Sequence, residues 1–273
     1  MTHKEFNFTF HNTQFFGQTW TADETKAVVV IVHGMGEHSS RYHDIAKLLN
    51  DNQYSVVAFD HFGHGKTTGK RGHNPNFEAV LESVKIVIER AKKQFPKKPV
   101  FLYGQSMGGN VVLNYALRRK TKLQGVIATS PFLRLGFKAP AIKLFFGKII
   151  QKIAPSLTLP NELVPDHLSR VPEEVQKYIN DPLVHDKISP NYSLVFFDTG
   201  EWAIQNAHKT KTPMCIFHGD ADQITSHDAS KEFIENSKTG TFKSYKGGYH
   251  ELHNDNCRDE MLTDVINWLD AQL

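Results

Sequence analysis

The chain has 273 residues, of which 40% are hydrophobic and 22% are charged, so it can bury a sizeable core and is too apolar for long intrinsically disordered stretches. The 32 Lys and Arg residues nearly balance the 29 Asp and Glu residues, which argues against a nucleic-acid partner because such partners require an excess of basic side chains. Two cysteines, Cys215 and Cys257, are too few for a secreted disulfide scaffold, and we expect both to be free thiols.

Apolar segments of the chain bear on its location. The first residues contain no continuous apolar run of the kind found in secretory signal peptides. No stretch of about 18 uncharged apolar residues occurs in the sequence. We therefore expect a cytoplasmic protein with, at most, a peripheral contact with membranes.

The amino-terminal part of the sequence favours β structure. Phenylalanines alternate with polar residues over 6–10, and a second extended run follows a turn and ends near Trp20, which predicts an antiparallel edge hairpin. The next run, residues 27–32, is continuous and β-branched. Such a run is typical of a strand covered on both faces, and it ends at a glycine-rich turn, residues 33–36.

A unit of strand followed by amphipathic helix then recurs along the chain. The further predicted strands cover residues 55–60, 100–103, 126–128, 214–219 and 241–245. Apolar residues at helical spacing predict helices over 77–88, 111–115, 233–234 and 261–269. Alternation of this kind with short connections predicts an α/β fold, in which a mostly parallel central sheet is flanked by helices on both faces.

The alternation stops between about residues 131 and 213. This segment contains several prolines and apolar helical pieces but no clear strand, which indicates an inserted, mainly helical cap. We therefore expect residues 1–131 and 209–273 to form the α/β core and residues 132–208 to form the cap.

The strongest chemical signal is the pattern G-x-S-x-G at residues 104–108, between a predicted strand and a predicted helix. The pattern alone occurs by chance in roughly one chain in ten of this length. Here, however, the strand-to-helix turn forces Ser106 into a strained backbone that projects its hydroxyl from the sheet edge, as in the nucleophile turn of α/β-hydrolases. The alternative is a glycine-rich helix start that Ser106 merely caps.

A serine nucleophile needs a neighbouring base, which a carboxylate orients. In α/β-hydrolases the acid and then the base follow the nucleophile, on loops after late strands. The first such loop contains Asp220 and Asp222, and Asp220 could instead bind backbone amides in its own turn. The second loop contains His250 and His253, which spacing alone barely separates.

The tetrahedral oxyanion also needs hydrogen-bond donors. Met107 follows Ser106 at a predicted helix N-terminus, and Met35 lies in the turn after the third predicted strand, where Gly34 and Gly36 permit close approach. We expect the amides of Met35 and Met107 to form the oxyanion hole. The alternative for the turn around Met35 is an ordinary strand end.

Histidines elsewhere in the chain raise the question of a metal. They are scattered over predicted loops without the paired spacing of metal ligands. The residues concerned are His33, His38, His61, His64 and His73. We expect no metal, and the chemistry of a serine hydrolase requires no cofactor.

Longer segments of the chain resemble the monoacylglycerol lipases of the α/β-hydrolase superfamily, over essentially the whole length. The matching segments are HGMGEHSSRY (33–42), DHFGHG (60–65), SMGG (106–109), YINDPL (178–183), AD (221–222) and YHELH (249–253). The resemblance implies that the acid is Asp222 and the base His250. It further implies an ester hydrolase that releases a fatty acid and glycerol from monoacylglycerol, or a similar lipid ester, through an acyl-enzyme intermediate.

The resemblance also implies a polar set that recognises the glycerol group. The set is Glu37, Arg41, Tyr178 and His253. Two hydroxyls on the leaving alcohol must be matched if the pocket buries them. The alternative for Glu37 and Arg41, four residues apart, is a surface ion pair worth under about 1 kcal/mol.

Two positions depart from the family pattern. Gln105 stands before the nucleophile where the family usually has histidine, which changes the support of the turn but removes no catalytic group. Thr225 lies in the region where mammalian members carry a cysteine after the acid, so thiol-directed control is not expected there.

The cap contains an apolar segment, residues 140–153, whose only charges are lysines. Such a helix fits an interfacial lid on an anionic membrane or micelle, with Phe145 and Phe146 as candidate contacts. Alternatively, its apolar side lines an acyl tunnel or packs on the core.

Other functions fit the same pattern of residues. A broader carboxylesterase or a lysophospholipase would share the catalytic residues and differ in pocket shape. A cofactor-free haloperoxidase or a peptidase uses the same fold. A non-enzymatic lipid-binding protein on an inactive hydrolase fold is disfavoured because all the catalytic residue types are present.

Overall fold

The computed structural model describes residues 1–120, 122–137, 141–209 and 211–273, and only the backbone of residues 141–146. The first part of the chain forms β1 (Thr2–Phe10), β2 (Thr13–Thr21), β3 (Ala27–Val32), α1 (His43–Asp51), β4 (Tyr54–Phe59), α2 (Phe77–Gln94), β5 (Val100–Gln105), α3 (Met107–Arg118) and β6 (Gly125–Thr129). The middle part forms α4 (Ala141–Ile153), β7 (Leu159–Pro160), α5 (Pro172–Asn180), β8 (Lys187–Ile188) and α6 (Pro190–Asn206). The last part forms β9 (Met214–Gly219), α7 (His227–Asn236), β10 (Gly240–Tyr245) and α8 (Arg258–Ala271).

Within the described ranges, the main sheet has eight strands in the order β1-β2-β4-β3-β5-β6-β9-β10. β2 pairs antiparallel with both β1 and β4, and the remaining neighbours pair in parallel. The predicted α/β fold and the edge hairpin are therefore confirmed. Because parallel strands end at the same edge, the loops after β3, β5, β9 and β10 meet there, where ligands bind in such sheets.

Strand β3 shows why a continuous apolar run suits the centre of this sheet. Val28, Val30 and Val32 pack into the cluster beneath α2, α3, α6 and α7. Val29 and Ile31 point the other way, into the cluster with α1 and α8. Both faces of the strand are covered, as predicted, so neither face can carry polar side chains.

The middle segment differs from the sequence prediction in one respect. It contains a short antiparallel pair, β7 with β8, where no strand was expected. Each strand has two residues and β7 includes a proline, so neither can show an alternating pattern. The start of the predicted lid segment, Pro140, lies outside the described residues, as do the side chains of Phe145 and Phe146.

Helix α6 anchors the middle segment on the core. The side-chain amide of Asn110 in α3 donates to the carbonyl of Phe196 at 3.2 Å, and that of Asn114 donates to the carbonyl of Thr199 at 3.2 Å. Phe196 also belongs to the hydrophobic cluster beneath the sheet. This end of the segment is thus fixed by both hydrogen bonds and apolar packing.

Cys215 and Cys257 are free thiols, as predicted. None of the described helices is both long enough and apolar enough to cross a membrane. In the described part of the chain, no group of three or more His, Cys, Asp or Glu side chains is arranged to hold a metal ion.

Candidate active site

Ser106 lies in the sharp turn between β5 and α3. Its φ of 53° and ψ of −114° place it in a region that a serine occupies only under strain. This is the strained turn that the sequence predicts. Ser106 precedes the first residue of α3, yet its side chain makes no capping hydrogen bond. The alternative of a simple helix cap is therefore wrong.

Two glycines allow this turn to pack closely. A Cβ atom at Gly104 would lie 2.3 Å from the carbonyl oxygen of Gly108, and one at Gly108 would lie 1.9 Å from the carbonyl oxygen of Val32. Both distances are far below van der Waals contact. Because backbone atoms occupy the space, no side chain can be accommodated at either position.

Asp222 and His250, from the loops after β9 and β10, form a buried pair with 2.8 Å between Oδ2 and Nδ1. Burial alone would raise the pKa of Asp222, but the nearby His250 and hydrogen bonds from His218 and His250 hold this pKa well below its usual range. Burial lowers the pKa of His250, whereas Asp222 and, more weakly, Glu251 and Glu37 raise it, and the pKa lies above its ordinary value. The carboxylate is thus ionised wherever the imidazole titrates.

The two rival residues lie elsewhere. Oδ1 of Asp220 accepts a hydrogen bond from the amide of Gly247 at 2.5 Å, which is the backbone role considered for it. His253 is buried, and its ring stacks on Tyr42 with 5.4 Å between centroids. Neither ring nitrogen of His253 has a hydrogen-bond partner among the described residues. The structure therefore pairs Asp222 with His250, a choice that spacing left open.

A cavity of about 650 Å³ opens at this edge of the sheet, lined by Ser106, Asp222 and His250. Most of its wall is apolar. The apolar side chains belong to Met35, Met107, Phe132, Leu135, Phe137, Leu163, Val164, Leu168, Ile188 and Ile224. Near the Ser106 turn, polar groups come from Glu37, Gln105, Tyr178 and Glu251. No lysine or arginine is found among the described residues that line the cavity.

The two residues expected to supply oxyanion amides line this cavity. Met107 is the first residue of α3, so its N–H has no acceptor within the helix. Met35 lies in the turn after β3, where Gly36 has a φ of 78°. The amide of Gly34 in the same turn donates to Oε1 of Glu37 at 2.6 Å and so fixes the turn. These positions suit amides that bind a developing oxyanion.

Arg41 joins two loops of the site through buried charges. Its guanidinium lies 2.7 Å from Oε2 of Glu37 and binds both carboxylate oxygens of Glu251 at 2.8 Å. Each of the three side chains is less than a tenth exposed. The alternative of a surface ion pair is therefore wrong. The reason is tertiary, because Glu251 arrives from 210 residues away and the Tyr178 ring covers the guanidinium at 4.9 Å.

The residues expected to recognise glycerol are only partly together. Glu37 and Tyr178 line the cavity, whereas Arg41 and His253 are not among its lining residues. The Glu37 carboxylate already accepts hydrogen bonds from the hydroxyl of Tyr42 at 2.8 Å and from Arg41. Arg41 therefore does not line the cavity itself but binds Glu37, which does.

Three residues that contact the site had no role predicted from the sequence. Glu251 follows His250 directly and binds Arg41. Nε2 of His218 and Oγ1 of Thr225 lie 3.0 and 2.8 Å from Oδ2 of Asp222. The available signal was a polar residue on each side of the candidate acid, one near the end of β9 and one in the loop that follows it. Gln105, the departure from the family, lines the cavity, with its Nε2 3.5 Å from the carbonyl oxygen of His250.

Comparisons with known proteins identify the family of this chain. The family described as serine aminopeptidase, S33, matches residues 23–257. An uncharacterized abhydrolase domain-containing protein of Dictyostelium discoideum is 33% identical over 94% of this chain, which spans 28% of that protein. A monoacylglycerol lipase of Mycolicibacterium smegmatis is 30% identical, with 93% of this chain and 92% of that protein aligned.

A solved structure extends the comparison to three dimensions. The crystal structure of a Paleococcus ferrophilus monoacylglycerol lipase has a TM-score of 0.88 and 37% sequence identity, and the match covers 95% of this chain and 99% of that one. The family match includes strands β3 to β10 and the residues between β6 and β9. The chain therefore belongs to the serine aminopeptidase S33 family of α/β-hydrolases, within which it is similar to the monoacylglycerol lipases.

Proposed function

We propose that the protein is a monoacylglycerol lipase with Ser106 as nucleophile, His250 as base and Asp222 as acid. The observation that carries the proposal is the buried Asp222–His250 pair in the same cavity as the strained Ser106. Because the carboxylate occupies Nδ1 of His250, Nε2 is the nitrogen that takes the serine proton. The similarity to monoacylglycerol lipases supports the same roles.

The proposed reaction is acyl transfer through a covalent intermediate. His250 removes the proton of Ser106 as the hydroxyl attacks the ester carbonyl, and the amides of Met35 and Met107 bind the oxyanion, each worth about 3 kcal/mol in the transition state. His250 then gives the proton to the departing glycerol oxygen. Water repeats the sequence on the acyl-enzyme and releases the fatty acid, without a cofactor.

The cavity supports a neutral, single-chain substrate. An acyl chain would lie along the apolar wall, and the glycerol group would lie near Glu37 and Tyr178. Two carboxylates, Glu37 and Glu251, share the guanidinium of Arg41, so this end of the cavity has net negative charge. A phosphate group there would meet like charge, which lowers affinity for anionic lipids.

This charge arrangement predicts a substrate preference. We expect kcat/KM for a monoacylglycerol to exceed that for lysophosphatidic acid with the same acyl chain by about 100-fold or more, because the phosphate would be desolvated beside carboxylates. The measurement is steady-state hydrolysis of matched lipids, run beside lysophosphatidylcholine, diacylglycerol, triacylglycerol, short p-nitrophenyl esters and an aminoacyl p-nitroanilide.

Four of the alternatives give different results in that panel. Similar rates on all esters would favour a broad carboxylesterase, and faster lysophospholipid hydrolysis a lysophospholipase. Turnover of the anilide alone would favour a peptidase. Failure of Ser106 to react with a fluorophosphonate probe, together with no turnover, would leave an inactive lipid-binding protein. Varying the acyl length among monoacylglycerols then defines the chain preference.

We further propose that residues 132–208 form a cap that docks on lipid surfaces. In the described part of the chain, apart from the terminal Met1 and Leu273, the exposed large hydrophobic residues all lie between 137 and 179. They are Phe137, Ile149, Ile153, Leu157, Leu159, Val164 and Ile179. Phe137 and Val164 also line the cavity, so a docked lipid surface would adjoin its entrance.

Helix α4 offers the sharpest test of membrane docking. Ile149 and Ile153 are 41% and 76% exposed, and the exposed Lys148 and Lys152 lie beside them at the same spacing. We expect Ile149→Ser with Ile153→Ser to reduce co-sedimentation with phosphatidylglycerol vesicles about tenfold or more, because two exposed apolar side chains would no longer enter the lipid.

The matched control is Leu273→Ser, which removes a side chain that is 53% exposed outside the cap. This control should bind vesicles like the parent protein. Equal binding of the parent and the double variant would contradict docking through α4, and hydrolysis of a soluble p-nitrophenyl ester shows that both variants remain active.

A further inference from the structure

The Asp222 carboxylate holds more hydrogen bonds than the pairing with His250 requires. Oδ1 accepts from the backbone amides of Ile224 at 2.8 Å and Thr225 at 3.1 Å. Oδ2 lies 2.8 Å from Nδ1 of His250, 3.0 Å from Nε2 of His218 and 2.8 Å from Oγ1 of Thr225. Two imidazoles therefore share one carboxylate oxygen.

The partners of His218 determine where its proton lies. His218 and Asp222 are fully buried, and an ionised carboxylate only accepts hydrogen bonds, so Nε2 of His218 carries the hydrogen. Nδ1 then accepts from the hydroxyl of Ser230 in α7, which is buried and lies 2.8 Å away. Burial outweighs the attraction of Asp222 and lowers the pKa of His218, so the ring is neutral.

These contacts form a directed chain of hydrogen bonds. Ser230 donates to His218, His218 donates to Asp222, and Asp222 accepts from His250 on the same oxygen. The chain connects helix α7, strand β9 and the loop after β10. A carboxylate held by donors on both of its oxygens cannot rotate away from His250 without losing several of them.

We propose that His218 is a positioning residue, which holds Oδ2 of Asp222 on Nδ1 of His250 and takes up part of the carboxylate charge. The inference rests on the proposed roles of Asp222 and His250. It gives a function to a buried histidine that the acyl-transfer steps do not use.

The charge effect has a definite sign. A neutral donor on the carboxylate stabilises the ionised oxygen and weakens the attraction it exerts on a protonated His250. When that donor is removed, more negative charge faces His250, so the pKa of His250 rises. Since the base must be unprotonated, the acidic limb of kcat/KM then moves to higher pH.

The titratable groups that face His250 are Asp222, His218, Glu251 and Glu37, and those that face His218 are Asp222, His250 and His227. The His227 ring lies 5.6 Å from that of His218 and bonds to Ser244 instead of Asp222. His227→Gln is therefore a matched control, which removes a neighbouring imidazole but keeps the hydrogen bonds that connect Ser230, His218 and Asp222.

The test compares His218→Leu, His218→Gln and His227→Gln by pH profile on a monoacylglycerol. We expect His218→Leu to move the acidic limb up by about half a pH unit and to lower kcat about tenfold, with KM within about twofold. His218→Gln has a side-chain amide that can donate to Asp222, so its acidic limb of kcat/KM should lie at the same pH as in the parent protein. His227→Gln should leave the limb and kcat unchanged.

Thermal unfolding of each variant distinguishes a role of His218 in positioning Asp222 from a role only in the stability of the fold. A lower melting temperature in His218→Leu with an unmoved limb and unchanged kcat would overturn the proposal. If His218→Leu does not fold, Ser230→Ala tests the same series of hydrogen bonds, because loss of the Ser230 hydroxyl should also move the acidic limb of kcat/KM to higher pH. An unchanged acidic limb in Ser230→Ala would count against the proposal. Failure of the proposed function is distinguishable, because Asp222→Asn would then retain full activity.

Discussion

Replacement of Ser106 by alanine should lower kcat for monoacylglycerol by about five to six orders of magnitude, because no other group can form the acyl-enzyme. The fold should persist, since the Ser106 side chain makes no capping hydrogen bond and alanine adds no atom to the turn. Steady-state hydrolysis, fluorophosphonate labelling and thermal unfolding measure the three quantities. Labelling should be abolished along with turnover.

Ser130 provides a matched control for that substitution. It is buried, follows β6 at the same edge of the sheet and also has a positive φ, 42°. Its hydroxyl has no hydrogen-bond partner among the described residues, and Ser130 does not line the cavity. Ser130→Ala should keep activity within about twofold of the parent. Substantial turnover by Ser106→Ala would refute the nucleophile assignment.

Replacement of Asp222 by asparagine should lower kcat by about four orders of magnitude. The asparagine amide can donate to Nδ1 of His250, which places the ring proton on Nε2 and leaves no lone pair for the hydroxyl of Ser106. Loss of the negative charge should also lower the pKa of His250, because Asp222 raises it in the parent protein. The acidic limb of the residual activity should therefore move to lower pH, opposite to the shift expected for His218→Leu.

Asp220, the rival acid, gives the matched control for this loop. Its side chain is exposed and binds only the amide of Gly247 among the contacts described. Asp220→Asn keeps a carbonyl oxygen that can accept the same hydrogen bond, so kcat and the pH profile should stay within about twofold of the parent. A large loss in Asp220→Asn with normal turnover in Asp222→Asn would reverse the assignment. Both profiles are measured from about pH 4 to about pH 9, which is about 2.5 units on each side of the ordinary pKa of histidine.

The secondary structure followed from local patterns because the period of apolar residues records how an element is buried. The run at 27–32 has apolar residues at every position because β3 is covered on both faces. The two-residue strands β7 and β8 escaped prediction, since two residues carry no period. The Ser106 turn was predictable because its requirement is also local. A side chain at Gly104 or Gly108 would place its Cβ within about 2 Å of backbone atoms, so the turn needs a glycine at both positions.

Choices between neighbouring residues could not be made from spacing. Asp220 and Asp222 are two residues apart in one loop, and only the folded chain shows that Asp222 reaches His250 while Asp220 holds a backbone amide. His253 follows His250 by three residues yet stacks on Tyr42. The direction of a loop side chain depends on contacts from distant segments, which a short pattern does not contain.

The sequence by itself determined the α/β fold, the Ser106 turn and the residue types of a serine hydrolase, because these depend on local periodicity and on motifs confined to one loop. Only the tertiary structure decided how charges are shared. Arg41 is buried between Glu37 and Glu251 instead of lying on the surface, and His218 shares the Asp222 carboxylate with His250. Such pairings join residues up to 210 positions apart, and their energies depend on burial that only the packed chain creates.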